Sequence, residues 1–430
     1  MKTLRERRCI YALRHIGRWW GLIILPVFAA AACDRPGSQG AASAVERRDS
    51  AGIQIVQNHA PVWDSTKFWT VDREPLFAIG GSHAASDTPS ASHLVWDILW
   101  AAPLSDGRVA MLSPGGEKKV LVFEPSGELS AAFGREGQGP GEFSHATHFQ
   151  VLPGDSIVVW DRMFGPVSHF DPAGSLLRHR RIDFGAVVEA TLADGQALHE
   201  SVALPLPDGS FLVEVDRLDW EPPGEGVYQP PVAYARIDSA YSAHWFGWWK
   251  GVETLAIPIP SPVIVPLPRR SIITGGGDPL SVFVAPGDRY EVHQFSATGV
   301  LQRIIRRSAD PIPITSKELD GWIDEVTNRN PHFEWSAWKR AVTALPKRFH
   351  DPISTFRVDS RGYLWTMDRR RVGTSEWSVY DPEGRWLGTL GIPLPRVTWI
   401  GDIVVGVQSD TVTGVETVAG YRLHRRTGQR

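Results

Sequence analysis

Apolar and polar positions alternate along most of this chain in short runs broken by Gly, Pro, Asp and Ser. That period-two pattern predicts many short β-strands joined by tight turns. The sharpest copy is Val120–Phe143, VLVFEPSGELSAAFGREGQGPGEF. Val120–Phe123 is apolar and β-branched, Pro125-Ser126-Gly127 supplies turn chemistry, and Leu129–Phe133 begins a return strand. Gly134 to Gly141 then ends regular structure. Fainter copies stand at Val167–Leu177 (VSHFDPAGSLL), Val292–Leu301 (VHQFSATGVL) and Val379–Leu387 (VYDPEGRWL). A recurring hairpin of this kind marks one unit of a repeat fold.

Each unit opens with a strand, a turn and a second strand. Leu104–Ala110 shows this, and Leu152–Val158, Leu206–Leu212, Ile272–Val284, Val358–Leu364 and Trp399–Val404 repeat it. The turn glycines are Gly107, Gly154, Gly209, Gly277, Gly362 and Gly401. Hairpin glycines Gly127, Gly174, Gly299 and Gly384 follow four of them by 20 to 22 residues. Four strands per ~40–50 residues is the period of a propeller blade. The last unit, Val397 to Leu423, supplies only three strands, and Leu76–Gly80 (LFAIG) is the missing fourth. The pattern therefore predicts an all-β, six-bladed propeller whose N-terminal strand closes the last blade, removing both open sheet edges.

The stretch Phe133–Phe143, FGREGQGPGEF, resembles the NHL signature FGxxGxGxGxF. Over residues 52–424 the chain resembles the six-bladed β-propeller lipoproteins of the NHL/TolB-like superfamily. The signature is sharp in one blade and degenerate elsewhere. The resemblance implies a rigid ring with a central channel, on which many functions are built. Some related propellers are gluconolactonases or peptidyl-amidoglycolate lyases that hold a metal in the channel, but no such ligand set maps onto this sequence residue by residue.

One segment breaks the period. At about 312–347, between blades four and five, Thr315-Ser316-Lys317-Glu318 is a capping box. Leu319, Trp322, Ile323 and Val326 recur at helical spacing, and Trp335, Trp338, Val342 and Leu345 mark a second helix. The tryptophans are expected to pack on the propeller, because an exposed stripe of that size favours aggregation.

The N-terminus changes the setting. Six basic residues within 1–32, with Arg7-Arg8 among them, lead into an apolar run from Trp19 to Ala32. The run is short for a membrane span and fits a signal-peptide core. It ends Ala30-Ala31-Ala32-Cys33, which resembles a bacterial lipobox. Residues 1–32 are then a lipoprotein signal, Cys33 the lipid-attachment residue, and 33–51 a flexible tether. An ordinary secretory signal is the alternative. Cleavage removes Cys9 and leaves one cysteine, so no disulfide forms and the domain is held by burial and closure. It also removes six basic residues and Glu6, taking the formal charge from −3 to −8. That balance argues against nucleic acid as a partner. The expected location is the bacterial cell envelope, facing the periplasm, with Asp34 favouring the inner membrane.

Recognisable catalytic motifs are absent: there is no G-x-S-x-G, H-E-x-x-H, C-x-x-C pair or P-loop. The Gly137–Gly141 loop opens no helix and reads as a turn. The Trp245–Trp249 cluster reads as inter-blade packing, with a carbohydrate platform as the alternative. Histidines precede several inner strands. His93, His148, His199 and His350 are the candidate ligand-binding residues at the channel mouth, with His145, Asp97, Glu200 and Asp351 nearby. Imidazoles and carboxylates that converge form a donor set for a divalent metal; separate, solvated histidines are the other reading. No resident cofactor and no catalytic residue is assigned. The function expected is a membrane-anchored module binding a small molecule or a protein. The alternative is a metal-dependent hydrolase or lyase of the gluconolactonase or amidoglycolate lyase type. No feature of the sequence specifies an oligomeric state.

Overall fold

The computed structural model describes residues 43–425, apart from 65–67, 82–94, 162–165, 183–186, 188–197, 218, 258–262, 330, 333, 372–373 and 411. The leader, Cys33, the first part of the tether and His93 lie outside the described residues.

The six expected units are six antiparallel blades. Their first strands are Trp100–Pro103, Ala146–Val151, Leu198–Pro205, Ile272–Gly276, Thr355–Val358 and Arg396–Ile400. Second strands such as Val109–Leu112 and Ile157–Asp161 are buried throughout, because a neighbouring blade covers each face. Outer strands such as Leu129–Phe133 alternate towards solvent. The core is a set of apolar layers, one between each pair of adjacent blades. Between blades five and six it holds Trp365, Trp377, Val404 and Ala419.

The hairpin glycines recur for two reasons. Each sits at positive φ, and at Gly174, Gly299 and Gly384 the missing side chain lets the hairpin touch the preceding blade. A Cβ on Gly174 would meet Phe133 at 2.6 Å, and one on Gly299 would meet the Trp245 carbonyl at 2.4 Å. The glycine-rich loop after blade one is likewise structural. The Glu142 carboxylate accepts from the Gly139 amide at 2.9 Å and from Arg135 Nε at 2.7 Å. The aspartates before the turns add Asx-type bonds. Asp171 Oδ1 accepts from the amides of Ala173 and Ser175, and Asp381 Oδ1 from those of Glu383 and Arg385.

Phe77–Gly80 pairs antiparallel with Glu416–His424 and completes blade six, as expected. The tether expected through residue 51 gives way to structure earlier. Val45–Ser50 and Ile53–Asn58 form a hairpin, and Ile53–Asn58 adds parallel to Leu301–Arg307, so blade four has six strands. The reason is burial: Val56 is fully enclosed, and Ile55 is nearly so. Asn58 is buried too. Its Nδ2 donates to the Arg306 and Gly384 carbonyls, and its Oδ1 accepts from the Trp386 amide, stitching blade four to blade five.

The helical insertion is present as α1 (Ser316–Arg329) and α2 (Ser336–Thr343). The capping box closes, with the Thr315 amide donating to Glu318 Oε2 at 2.8 Å and the Glu318 amide to Thr315 Oγ1 at 3.2 Å. Trp338 and Val342 are buried against Leu255 and Val265. Their support is a side sheet of Gly226–Tyr228, Thr254–Ala256 and Val263–Ile264, which the sequence pattern did not reveal. Glu253, almost wholly buried, ties this layer together. It takes Arg269 at 2.7 Å and also pairs with Arg348, just beyond α2.

Blades four and five are joined by a second polar knot. Asp368 accepts from Tyr290 Oη at 2.6 Å, Arg307 Nη2 at 2.9 Å and Ser378 Oγ at 2.5 Å. Replacing Asp368 with Ala strands a buried guanidinium and should cost about 3–5 kcal/mol in urea unfolding. A loss within about 0.5 kcal/mol, ordinary for a surface substitution, would remove this knot from the account of stability.

Candidate functional site: the central channel

The first strands of all six blades converge on one cavity of about 580 Å³. Its exposed rim is Pro153, Pro207, Asp278 and Ser360, which belong to the turns after the inner strands. Trp100 and His148 lie deeper. Glycines shape the wall of blade four. A Cβ on Gly276 would meet Val358 at 3.0 Å, so blade five can approach closely. Trp100 is held by its Nε1 donating to the Thr147 carbonyl at 3.0 Å. Thr398 is tied to the Ala101 carbonyl at 2.7 Å, across from blade six to blade one.

Arg357 is the charged group inside. It comes from the inner strand of blade five, and its guanidinium carbon lies 5.1 Å from the Trp100 ring centroid. Nη1 donates to the Phe356 carbonyl at 3.2 Å. Nε is buried with no hydrogen-bond partner. Burial pulls the Arg357 pKa down to about 10, so the side chain keeps its charge at neutral pH. Asp359, on the same strand's turn, does not neutralise it: it pairs with Arg425 at 2.8 Å and accepts from Trp365 Nε1 at 3.0 Å.

Of the candidate histidines, His148 and His350 are not brought together. His148 lines the cavity, with its ring 6.2 Å from that of Trp100 and 5.5 Å from that of Trp160. His350 sits at the base of the helical insertion, 3.3 Å from Glu318 Oε1, and does not line the cavity. His199 is on the inner strand of blade three, at the end opposite the cavity-lining Leu204. His93 lies outside the described residues. Of the neighbours, the His145 amide donates to Asp161, and Asp97 caps the Gly115 amide. Among the described residues no group of three or more His, Cys, Asp or Glu is placed to hold a metal ion. Of the charged groups on the described lining, Arg357 would repel a divalent cation, Asp359 is already bonded, and Asp278 stands on the rim.

Residues that the pattern missed are Arg357, Trp100 and Trp399. Each occupies an ordinary inner-strand position, and only the convergence of the blades sets them around one space. Of the Trp245–Trp249 cluster, Phe246 lies 5.4 Å from Phe295 and Trp249 5.0 Å from His293, between blades, whereas Trp248 is exposed.

The fold is that of a six-bladed β-propeller. The sequence model of a family described as a 6-bladed beta-propeller matches residues 105–200. No curated protein sequence matches the chain. Solved structures similar to it include a protein from Bacteroides fragilis described as exported, at 15% identity and TM-score 0.46, with 87% of this chain and 100% of that one covered. A gluconolactonase from Xanthomonas campestris is similar at 12% identity and TM-score 0.37, covering 82% and 96%. Virginiamycin B lyase from Staphylococcus aureus is similar at 9% identity and TM-score 0.36, covering 83% and 99%. No described helix is long and apolar enough to cross a membrane.

Proposed function

We propose that this chain is a binding propeller of the bacterial cell envelope, NHL/TolB-like in its repeat, anchored by lipid on Cys33 and taking a small molecule in its central channel. The observation that carries the reading is the concavity walled by all six inner strands, lined by two indoles and by an arginine that makes no ion pair among the described residues. Rigid concave sites with a few polar groups are where propellers and other scaffolds take ligands. A binding role is favoured over metal-dependent hydrolysis because the described lining supplies neither a metal donor set nor a nucleophile with an adjacent base.

Two measurements test this. Neutral aromatic probes, benzamide and benzyl alcohol, should bind the purified protein at one per chain by calorimetry, and Gln150→Trp, which fills the channel, should abolish that binding. Binding that ignores the substitution would place the site elsewhere. For the anchor, Cys33→Ser should leave unacylated precursor; normal acylated product from that variant would sink it.

A further inference from the structure

Arg357 presents a chemical oddity that the fold does not need. An arginine deep inside a protein is normally met by a carboxylate or by several carbonyls. Here, among the described residues, it makes no ion pair and one hydrogen bond, to the carbonyl of its own neighbour Phe356. The Trp100 ring offers partial compensation. Of the other charges at the cavity, Asp359 is consumed by Arg425 and Asp278 stands on the exposed rim. Glu200, whose side chain is not described, is four residues from the cavity-lining Leu204, or about 13 Å along an extended strand. A fixed guanidinium left open in a walled space is pre-organised for an anion.

We propose that the channel binds a small monocarboxylate with an aromatic or apolar body. Its carboxylate meets the Arg357 guanidinium, and its body lies against Trp100 and Trp399. This rests on the channel being the ligand site. One cation calls for one negative charge; a dianion such as a phosphate monoester would leave the second charge uncompensated in a walled cavity whose rim already carries Asp278. A carboxylate also matches the planar donor geometry of guanidinium. The rest of the cavity lining, which includes Phe149, Leu204 and Ile273, supplies apolar surface for the remainder.

The test compares benzoate with its neutral isostere benzamide, and with inorganic phosphate, on the purified full chain by calorimetry. Benzoate should bind at least ~10-fold more tightly than benzamide, the order expected for one charge-assisted contact. Arg357→Met should reduce benzoate to the affinity of benzamide and leave benzamide unchanged. The melting temperature of the free variant should hold or rise, because an uncompensated charge has gone; a purely structural arginine would lower it. If Arg357→Met does not fold, Arg357→Lys keeps the charge but loses the fork, and benzoate should weaken by less than the whole margin. Equal binding of benzoate and benzamide, or benzoate binding indifferent to both substitutions, overturns the carboxylate while leaving the channel site standing, provided Gln150→Trp still blocks both probes. Phosphate bound more tightly than benzoate overturns the monoanion. No binding of any probe up to about 10 mM, the weak end of measurable affinity, overturns the carboxylate and the channel together.

Discussion

Deleting residues 43–80 is expected to abolish cooperative unfolding of the propeller. The segment contributes at three successive blades. Ile53–Asn58 extends blade four, the Val62 and Trp63 amides donate to the Trp386 and Leu387 carbonyls of blade five, and Phe77–Gly80 completes blade six. Removing it strips Phe77 and Ile79 from the layer between blades six and one. It also strips Trp63 and Trp69 from their cluster with Tyr363 and Trp365, and Val56 from the edge of blade four. At about 1.5–3 kcal/mol per large apolar side chain, these losses match the whole stability of a typical domain. The deletion further exposes the edge of Glu416–His424, an open template for pairing with another chain. The shorter deletion 43–58 spares the closing strand and should fold, but with lower stability, because Asn58 leaves the Trp386 amide and two carbonyls without partners. Far-UV and near-UV circular dichroism through a urea gradient reads both. A 43–80 deletion that melts sharply at the parent's midpoint would mean that closure is made elsewhere.

The blades were legible because their signals are local. A turn glycine and a hairpin glycine 20 to 22 residues later are fixed by positive backbone φ, and three of the four hairpin glycines also by contact with the preceding blade. The capping box at Thr315 and Glu318 is equally local, and it formed. What escaped the sequence is what depends on distant partners. The parallel addition of Ile53–Asn58 to Leu301–Arg307 joins segments far apart in the chain, with no hairpin to announce it. The side sheet under α2 is built from three very short strands. In the channel the candidate histidines stand at differing offsets from the turns. His148 reaches the cavity, whereas His350 serves the helical insertion beside Glu318. Arg357 sits in an unremarked Phe-Arg-Val run, and its lack of an acid is a property of six strands meeting, not of any one of them.

Replacing Asp351 with Asn should stabilise the protein at alkaline pH and have little effect in acid. Asp351 follows α2, close to the buried Glu253 cluster, and its Oδ1 is buried without a hydrogen-bond partner. Burial is the main cause that raises its pKa to about 7; the Glu253 charge adds to it, while the Arg270 amide, Arg269 and Arg270 pull the other way. The sign follows from proton linkage. Below the ordinary value of 3.8, folded and unfolded chains both hold the proton, and the group contributes nothing. Between there and about 7 the unfolded chain has lost the proton and the folded one keeps it, so stability falls as pH rises. Above about 7 the loss is complete and constant. The full shift corresponds to about 4 kcal/mol, and partial exposure reduces it to roughly 2–3 kcal/mol. Asparagine never ionises, and its side-chain carbonyl can replace the carboxylate oxygen that faces the Arg270 amide. Urea midpoints should therefore coincide for the two proteins near pH 4 and separate progressively, with the gap levelling off above about pH 7. A constant gap across that range would assign the effect of the substitution to packing rather than to charge. A gap that widens towards acid would mean that Asp351 is stabilised as the carboxylate, with the surrounding arginines outweighing its burial.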